Sequence, residues 1–193
     1  PMRTNMTISP SRLRSPLVRF LLPLAIAGTL ISCTPSKISQ CNKLADSVNK
    51  MRPIAEQFQQ ENNAFDAAAK TASARNDFNG VKTAAGTAAS GFTKLTQQLD
   101  ELIKNIQGIN LQDETLVGLQ NRYVQNATAI SAAFKDITNA LTTISTLENS
   151  PKGLKDLNAA GQTLSATAQK MGGLIEAETQ LVSDFNKYCE VQQ

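Results

Sequence analysis

The stretch that decides the fold is Val81-Lys-Thr-Ala-Ala-Gly-Thr-Ala-Ala-Ser-Gly-Phe-Thr-Lys-Leu-Thr-Gln-Gln-Leu-Asp-Glu-Leu-Ile-Lys-Asn-Ile-Gln-Gly-Ile109. Its apolar residues recur at alternating spacings of four and three, and they are Val81, Ala85, Ala88, Phe92, Leu95, Leu99, Leu102, Ile106 and Ile109. This spacing is typical of a helix that packs along one seam. Gly108 and Asn110 are residue types that often follow a helix end. The stretch therefore predicts a helix over about 80–108.

The same spacing appears in three further stretches, which predict helices over about 37–74, 113–148 and 153–190. The first seam is Cys41, Leu44, Val48, Met51, Ala55, Phe58, Asn62, Phe65, Ala69 and Ala72. The third is Leu116, Gln120, Tyr123, Ala127, Ile130, Phe134, Ile137, Leu141 and Ile144. The fourth is Leu154, Leu157, Gly161, Leu164, Ala168, Met171, Ile175, Glu178, Val182, Phe185 and Cys189. Pro53 predicts a kink or short break near 49–52. Thr34 or Ser36 is the candidate N-cap of the first helix, and Asp113 is that of the third.

The connections between these helices are short, so neighbours in sequence are expected to be antiparallel. The predicted fold is therefore all-α, an antiparallel up-down four-helix bundle over 37–190 with coiled-coil-like seams. A longer coiled coil of two or three helices, including an oligomeric one, is the alternative.

The N-terminal segment has a different character. Arg3, Arg12, Arg14 and Arg19 precede an apolar run over 20–31 that is too short to span a membrane as a helix, and Leu30-Ile31-Ser32-Cys33 follows. This order resembles the signal peptide and lipobox of bacterial lipoproteins. The resemblance implies that 1–32 is cleaved, that Cys33 carries palmitate-type acyl chains, and that 33–36 is a short lipid-anchored tether. The alternative is an ordinary thiol at Cys33 in a secreted or membrane-anchored chain.

The lipoprotein resemblance also implies a location on the bacterial cell envelope, on the outer membrane or on a periplasmic or luminal face. The formal net charge of the chain is +3 and the leader carries four arginines, so its removal leaves a net charge near −1. This charge does not favour a nucleic-acid partner.

Cys41 and Cys189 form an even pair near the two ends of the predicted bundle, which in an exported chain indicates a disulfide. In an up-down bundle the start of the first helix and the end of the fourth lie at the same end, which permits this bond. Two unpaired buried thiols are the alternative.

The chain contains no histidine, so the commonest general base and metal ligand are absent. The Glu-x-x-His pattern of di-metal bundles is missing as well. We therefore predict a protein that is not an enzyme and has no metal or cofactor, with Met51 and Met171 as core residues.

Three polar residues fall on the predicted seams: Asn62, Gln120 and Glu178. Together with Tyr123 they could form a small-ligand pocket inside the bundle. The alternative is that each lies at a seam edge or fixes the helix register.

Three tracts rich in small residues, 67–74, 84–91 and 159–168, map towards the bundle end far from Cys33. They permit close helix packing or form a surface that receives a partner.

Two functions remain open on the sequence. The first is a lipid-anchored, non-enzymatic helical post that binds another envelope protein. The second is a sensor-like bundle that binds a small ligand.

Overall fold

The computed structural model describes residues 35–190, which form five α-helices and no strand. The helices are α1 (Lys37–Val48), α2 (Met51–Ala74), α3 (Phe78–Gln107), α4 (Glu114–Ser145) and α5 (Pro151–Glu190). The all-α bundle is confirmed. The leader 1–32 and Cys33, on which the lipidation prediction depends, lie outside the described residues.

The predicted first helix is divided into α1 and α2 by Asn49 and Lys50. Pro53 is the third residue of α2, and its ring nitrogen cannot donate the hydrogen bond that a continuous helix would require. The first turn of α2 is held instead by the Arg52 amide, which donates to the Asn49 carbonyl over 3.3 Å. The break expected near 49–52 is therefore present, and α1 can take a direction of its own.

Side-chain caps fix where the helices begin. Ser36 accepts a hydrogen bond from the Ser39 amide (3.2 Å), Asp77 from the Gly80 amide (2.8 Å) and Asp113 from the Leu116 amide (3.0 Å). Each bond satisfies one of the amides that a helix start leaves without a partner. Ser36, and not Thr34, is thus the first cap.

The helices pack in chain order: α2 on α3, α3 on α4, and α4 on α5, while the short α1 contacts α3, α4 and α5. No packing of comparable extent joins α2 to α5 among the described residues. The bundle therefore has an inner pair, α3 and α4, and two outer helices. Phe58 of α2 stacks on Phe134 of α4 at 5.3 Å between ring centroids, and Phe92 of α3 meets both rings edge-on.

The seams predicted for the inner helices are correct, since their large apolar residues are buried. The seam predicted for α5 is wrong at every second position as far as Val182, and the seam predicted for α1 and α2 is wrong at two positions. On α2, Ile54 and Glu61 face α3, whereas Ala55 and Asn62 are exposed. On α5, the buried or half-buried row contains Gly153, Ala160, Thr167, Leu174, Leu181 and Tyr188, whereas Leu154, Gly161, Ala168, Ile175 and Val182 are exposed. Because each outer helix packs mainly against one neighbour, its buried face is rotated towards that neighbour.

Cys41 and Cys189 are joined by a disulfide, with their Cα atoms 6.0 Å apart. This separation lies within the usual range for a disulfide. The bond links α1 to the last turn of α5 and confirms that the first and last helices meet at one end of the bundle. We call this end the base and the opposite end, with the α2–α3 and α4–α5 connections, the tip.

Candidate functional site

Gln40 ties α1 to the connection between α3 and α4 at the base. Its side-chain oxygen accepts hydrogen bonds from the Gln112 amide (2.6 Å) and the Asp113 amide (3.0 Å), and its nitrogen donates to the Pro35 carbonyl (2.9 Å). Gln40 is 4 % exposed. Sequence reasoning missed this residue, although it lies one turn before Leu44 on the side of α1 that carries the core. The base is thus held by a polar bridge in addition to the disulfide.

Tyr188 makes a second bridge at the base. Its hydroxyl donates to the carboxylate of Asp113, at 2.7 Å from one oxygen and 2.9 Å from the other. The Lys37 ammonium lies 3.6 Å from the centre of the Tyr188 ring, at cation–π distance. The bonds from the Leu116 amide and Tyr188 lower the pKa of Asp113, while the same carboxylate raises the pKa of Tyr188. Residues of α1, α4 and α5 therefore meet at one point.

Glu178 is the centre of a polar cluster between α4 and α5. Tyr123 donates its hydroxyl proton to one carboxylate oxygen, and the Asn126 amide nitrogen donates to the other over 2.9 Å. Asn126 also donates to the Leu174 carbonyl over 3.2 Å. Burial raises the pKa of Glu178 to about 7. The two donated bonds favour the charged carboxylate and act against this rise.

Of the four residues predicted to form a ligand pocket, Tyr123 and Glu178 are joined by a hydrogen bond, and neither is bonded to Gln120 or Asn62. Gln120 donates to the Ile106 carbonyl (2.6 Å) and the Ile109 carbonyl (2.9 Å), and so closes the end of α3. Asn62 is exposed on α2, because Glu61 takes the position next to α3. Gln120, Tyr123 and Glu178 are thus committed to protein partners.

Asn126 was missed as a partner of Glu178. It follows Tyr123 by three residues and therefore lies on the same side of α4. That spacing could have indicated it, but the predicted seam passed through Ala127 instead.

Two grooves lie in the half of the bundle towards the tip, and both are lined by the small-residue tracts. The groove between α2 and α3 has a volume of about 570 Å³, and its lining includes the apolar residues Ala64, Phe65 and Ala88 and the acidic residues Glu61 and Asp77. A groove of about 280 Å³ lies between α4 and α5. Its lining is Asp136, Asn139, Ala140, Thr143, Asp156, Ala159, Ala160 and Thr163.

Among the described residues, no group of three or more His, Cys, Asp or Glu side chains is placed to hold a metal ion. Within the same residues no helix is both long and apolar enough to cross a membrane. Comparison with known proteins finds no matching family model, no matching curated protein and no matching solved structure.

Proposed function

We propose that this protein is a non-enzymatic envelope lipoprotein, a helical post that is held to the membrane through Cys33 and binds or braces another envelope protein. The observation that carries the proposal is the position of the first helix. Ser36 caps α1, which begins at Lys37 only four residues after the lipobox cysteine. Acyl chains on Cys33 would therefore hold the base of the bundle at the membrane surface.

The construction of the base supports this role. The disulfide joins α1 to α5, and the Gln40 bridge joins α1 to the connection between α3 and α4. Because α1 is bonded both to α5 and to the α3–α4 connection, a force on the anchor would be passed to the bundle as a whole. A short tether and a braced base suit a rigid post better than a globule on a flexible linker.

The length of the inner helices supports a role at a distance from the anchor. At a rise of about 1.5 Å per residue, α3 and α4 are each about 45 Å long. The grooves between α2 and α3 and between α4 and α5 lie towards the tip, away from the anchored base. Their small apolar side chains and their carboxylates suit contact with an apolar, basic segment of a partner protein.

The polar residues inside the bundle support a structural reading over a ligand-binding one. Both oxygens of Glu178 accept bonds from α4, and the Gln120 amide closes the end of α3. A small ligand would have to displace these bonds, and each one lost would leave a polar group without a partner.

Intact-mass measurement of the protein from bacterial membranes tests the anchor. We expect a chain that starts at Cys33 and carries fatty acids, since two or three acyl chains give stable attachment where one is marginal. Cys33→Ala should release the protein from the membrane and remove the added mass, whereas Ser36→Ala should leave both unchanged. A mature chain with an unmodified Cys33 contradicts the proposal.

Crosslinking in native membranes followed by mass spectrometry tests the partner. We expect crosslinks from the tip grooves to one envelope protein, which Ala64→Arg between α2 and α3 or Thr163→Arg between α4 and α5 should reduce. Lys104→Glu, on an exposed part of α3 near the base, is the matched control. Equal crosslinking in all variants would show that the grooves are not the partner surface.

A further inference from the structure

One face of α5 is exposed although its residue types are those of a helix interface. Its first row contains Leu154, Gly161, Ala168, Ile175 and Val182, at intervals of seven residues. The neighbouring row contains Asn158, Ser165, Gly172, Thr179 and Asn186, and every residue of both rows is exposed. The three large aliphatic side chains are 60 % (Leu154), 51 % (Ile175) and 36 % (Val182) exposed. We call these two rows the open seam.

The open seam carries no charge. All the charged side chains of α5 lie on other rows of the helix, including Lys155 and Glu176 on the solvent side and Glu178 against α4. A solvated helix face normally carries charged residues. A face of small, aliphatic and uncharged polar residues is instead typical of a surface that becomes buried against another helix.

The glycines of the open seam are not required by close packing inside a single copy. A Cβ atom added at Gly161 or at Gly172 would meet nothing within 4 Å. Each glycine costs about 1 kcal/mol relative to alanine inside a helix. Gly173 also has nothing within 4 Å of an added Cβ, but it lies outside the open seam. The glycines alone therefore do not distinguish this face, whereas the aliphatic row and the absence of charge do. A closely approaching second helix would explain the small residues.

The rows have the a and d spacing of a coiled coil, with Leu154 and its row at d and Asn158 and its row at a. A single asparagine at an a position fixes the register and the oligomeric state of many coiled coils. The open seam has asparagine at both ends, Asn158 and Asn186. In a parallel pair each asparagine would face its counterpart. An antiparallel pair centred on Gly172 would place Asn158 level with Asn186 of the other copy, so the parallel orientation rests on the proposed function, in which both copies are anchored at the base.

We propose that a second copy of this chain packs on the open seam, so that two α5 helices form a parallel, in-register pair. Self-pairing brings Gly161, Ser165, Ala168 and Gly172 against their counterparts, which permits a close approach in the middle of the helix. Ile175 and Val182 pack on their counterparts nearer the base. No extensive packing of α2 on α5 covers this face within one copy.

The size of the contact predicts its strength. From residue 154 to residue 186 the seam is about 50 Å long, and a strip about 10 Å wide buries about 500 Å² on each copy. The total of about 1,000 Å² is the least that a specific interface usually needs. A dimer of modest affinity is expected in solution. Copies anchored side by side on one membrane would pair more completely, because anchoring raises their effective concentration.

Sedimentation analysis of the full-length protein in detergent tests the contact. The wild type should be in equilibrium between monomer and dimer, and Ala168→Glu should raise the dissociation constant at least tenfold, because two buried carboxylates would face each other. Ala166→Glu places the same change on another side of the helix, at a residue that is also exposed, and should leave the dimer intact. Circular dichroism should show equal helicity in both variants.

A wild type that is monomeric at all accessible concentrations overturns the proposal, as does a dimer that is equally stable in both variants. An Ala168→Glu protein that melts earlier while the wild type is a monomer would show that the face packs within one chain. The dimer does not require the acyl chains, so failure of the lipidation test would leave this test intact.

Oxidative crosslinking tests the orientation. In a parallel pair Thr179→Cys meets its counterpart and should form an intermolecular disulfide, whereas Gln180→Cys, one residue further on the solvent side, should not. If Thr179→Cys fails to crosslink while the dimer persists, the helices are not parallel and in register.

Discussion

The inner helices, α3 and α4, and the outer helices, α2 and α5, have similar apolar spacing in the sequence but different degrees of burial. Beside its predicted seam, α4 buries a second row that contains Leu119, Asn126, Ala133 and Ala140. In α5, by contrast, only Gly153, Ala160, Thr167, Met171 and Leu181 are buried along 40 residues. Equal periodicity therefore does not mean equal burial. The number of neighbours decides how much of a helix becomes core.

The consequence is a difference in what holds each pair. The inner pair is held by apolar area, at about 25 cal/mol for each Å² removed from water. The outer helix α5 has less of this area and depends more on specific bonds: the disulfide, the Tyr188–Asp113 bridge and the Glu178 cluster. Removal of a specific bond should therefore destabilise α5 more than the inner pair. Truncation of an apolar residue should destabilise the inner pair more than α5.

Removal of the disulfide should have the largest effect. The bond closes a loop with a sequence separation of 148 residues, for which the chain-entropy model gives roughly 5 kcal/mol as an upper value. The double variant Cys41→Ser with Cys189→Ser should lose about 2–5 kcal/mol of unfolding free energy in urea denaturation. Its helical content should be nearly unchanged, because the inner seams do not depend on the bond.

Reduction provides the control for this measurement. A reducing agent should destabilise the wild type to the level of the double variant and should leave the variant unaffected. If the helicity of the double variant falls strongly, the inner pair depends on the outer helices more than the burial indicates.

Leucine truncations should show the contrast in apolar packing. Leu99 of α3 is fully buried, whereas Leu157 of α5 is half-buried. Leu99→Ala removes the same atoms as Leu157→Ala but also leaves a cavity, so it should cost about 2–5 kcal/mol, against about 1 kcal/mol for Leu157→Ala. Chemical denaturation of both variants measures the difference. Equal losses would show that α5 is as well packed as α3.

The predictability of the fold differs between the same two pairs. In α3 and α4 the apolar row alone indicated the seam. A helix with two neighbours buries a wide face, so its apolar row is buried whichever neighbour it points towards. In α5 the row Leu154, Ile175 and Val182 is as apolar as the row Ala160, Leu174 and Leu181 that packs on α4. Periodicity cannot choose between two rows that have the same spacing and lie on either side of the row of Leu157 and Leu164. The missing contact with α2, which decides the choice, is a property of the tertiary structure.

The polar residues show a similar limit. The sequence indicated that Gln120, Tyr123 and Glu178 occupy seam positions, and all three are within the bundle. Their hydrogen-bond partners depend on how far one helix is shifted along its axis relative to the next. The contact of Asn126 on α4 with Glu178 on α5 is an example. The Cys41–Cys189 pair could be predicted because the chain has few cysteines and the up-down topology brings its two ends together.

The pH dependence of stability should depend on Glu178. Its pKa in the folded state is about 7, above the ordinary value of 4.5, so between these values the folded state binds the proton more tightly than the unfolded state. Wild-type stability should therefore rise as the pH falls from 8 to 5. Partial exposure and the two donors limit the gain to about 1–2 kcal/mol.

Urea denaturation at pH 5 and at pH 8 measures this dependence. Glu178→Gln should remove most of it, because the variant has no proton to bind at this position. Glu176→Gln, an exposed residue on the same helix, is the control and should keep the wild-type dependence. A slope that survives in Glu178→Gln would assign the pH dependence to another group.

The smallest effect should come from a matched pair of glycines. Gly118 of α4 and Gly173 of α5 are both exposed, and an added Cβ would meet nothing within 4 Å at either. Alanine at either position should raise the unfolding free energy by about 0.5–1 kcal/mol.

Native-state amide exchange distinguishes where the gain appears. If α5 opens while the inner pair stays folded, its amides should respond to Gly173→Ala but not to Gly118→Ala. The slowest amides of α4, which exchange only on global unfolding, should respond to both. An equal response of the α5 amides to both substitutions would mean that α5 unfolds only with the whole bundle, and the distinction between inner and outer helices would then concern packing and not dynamics.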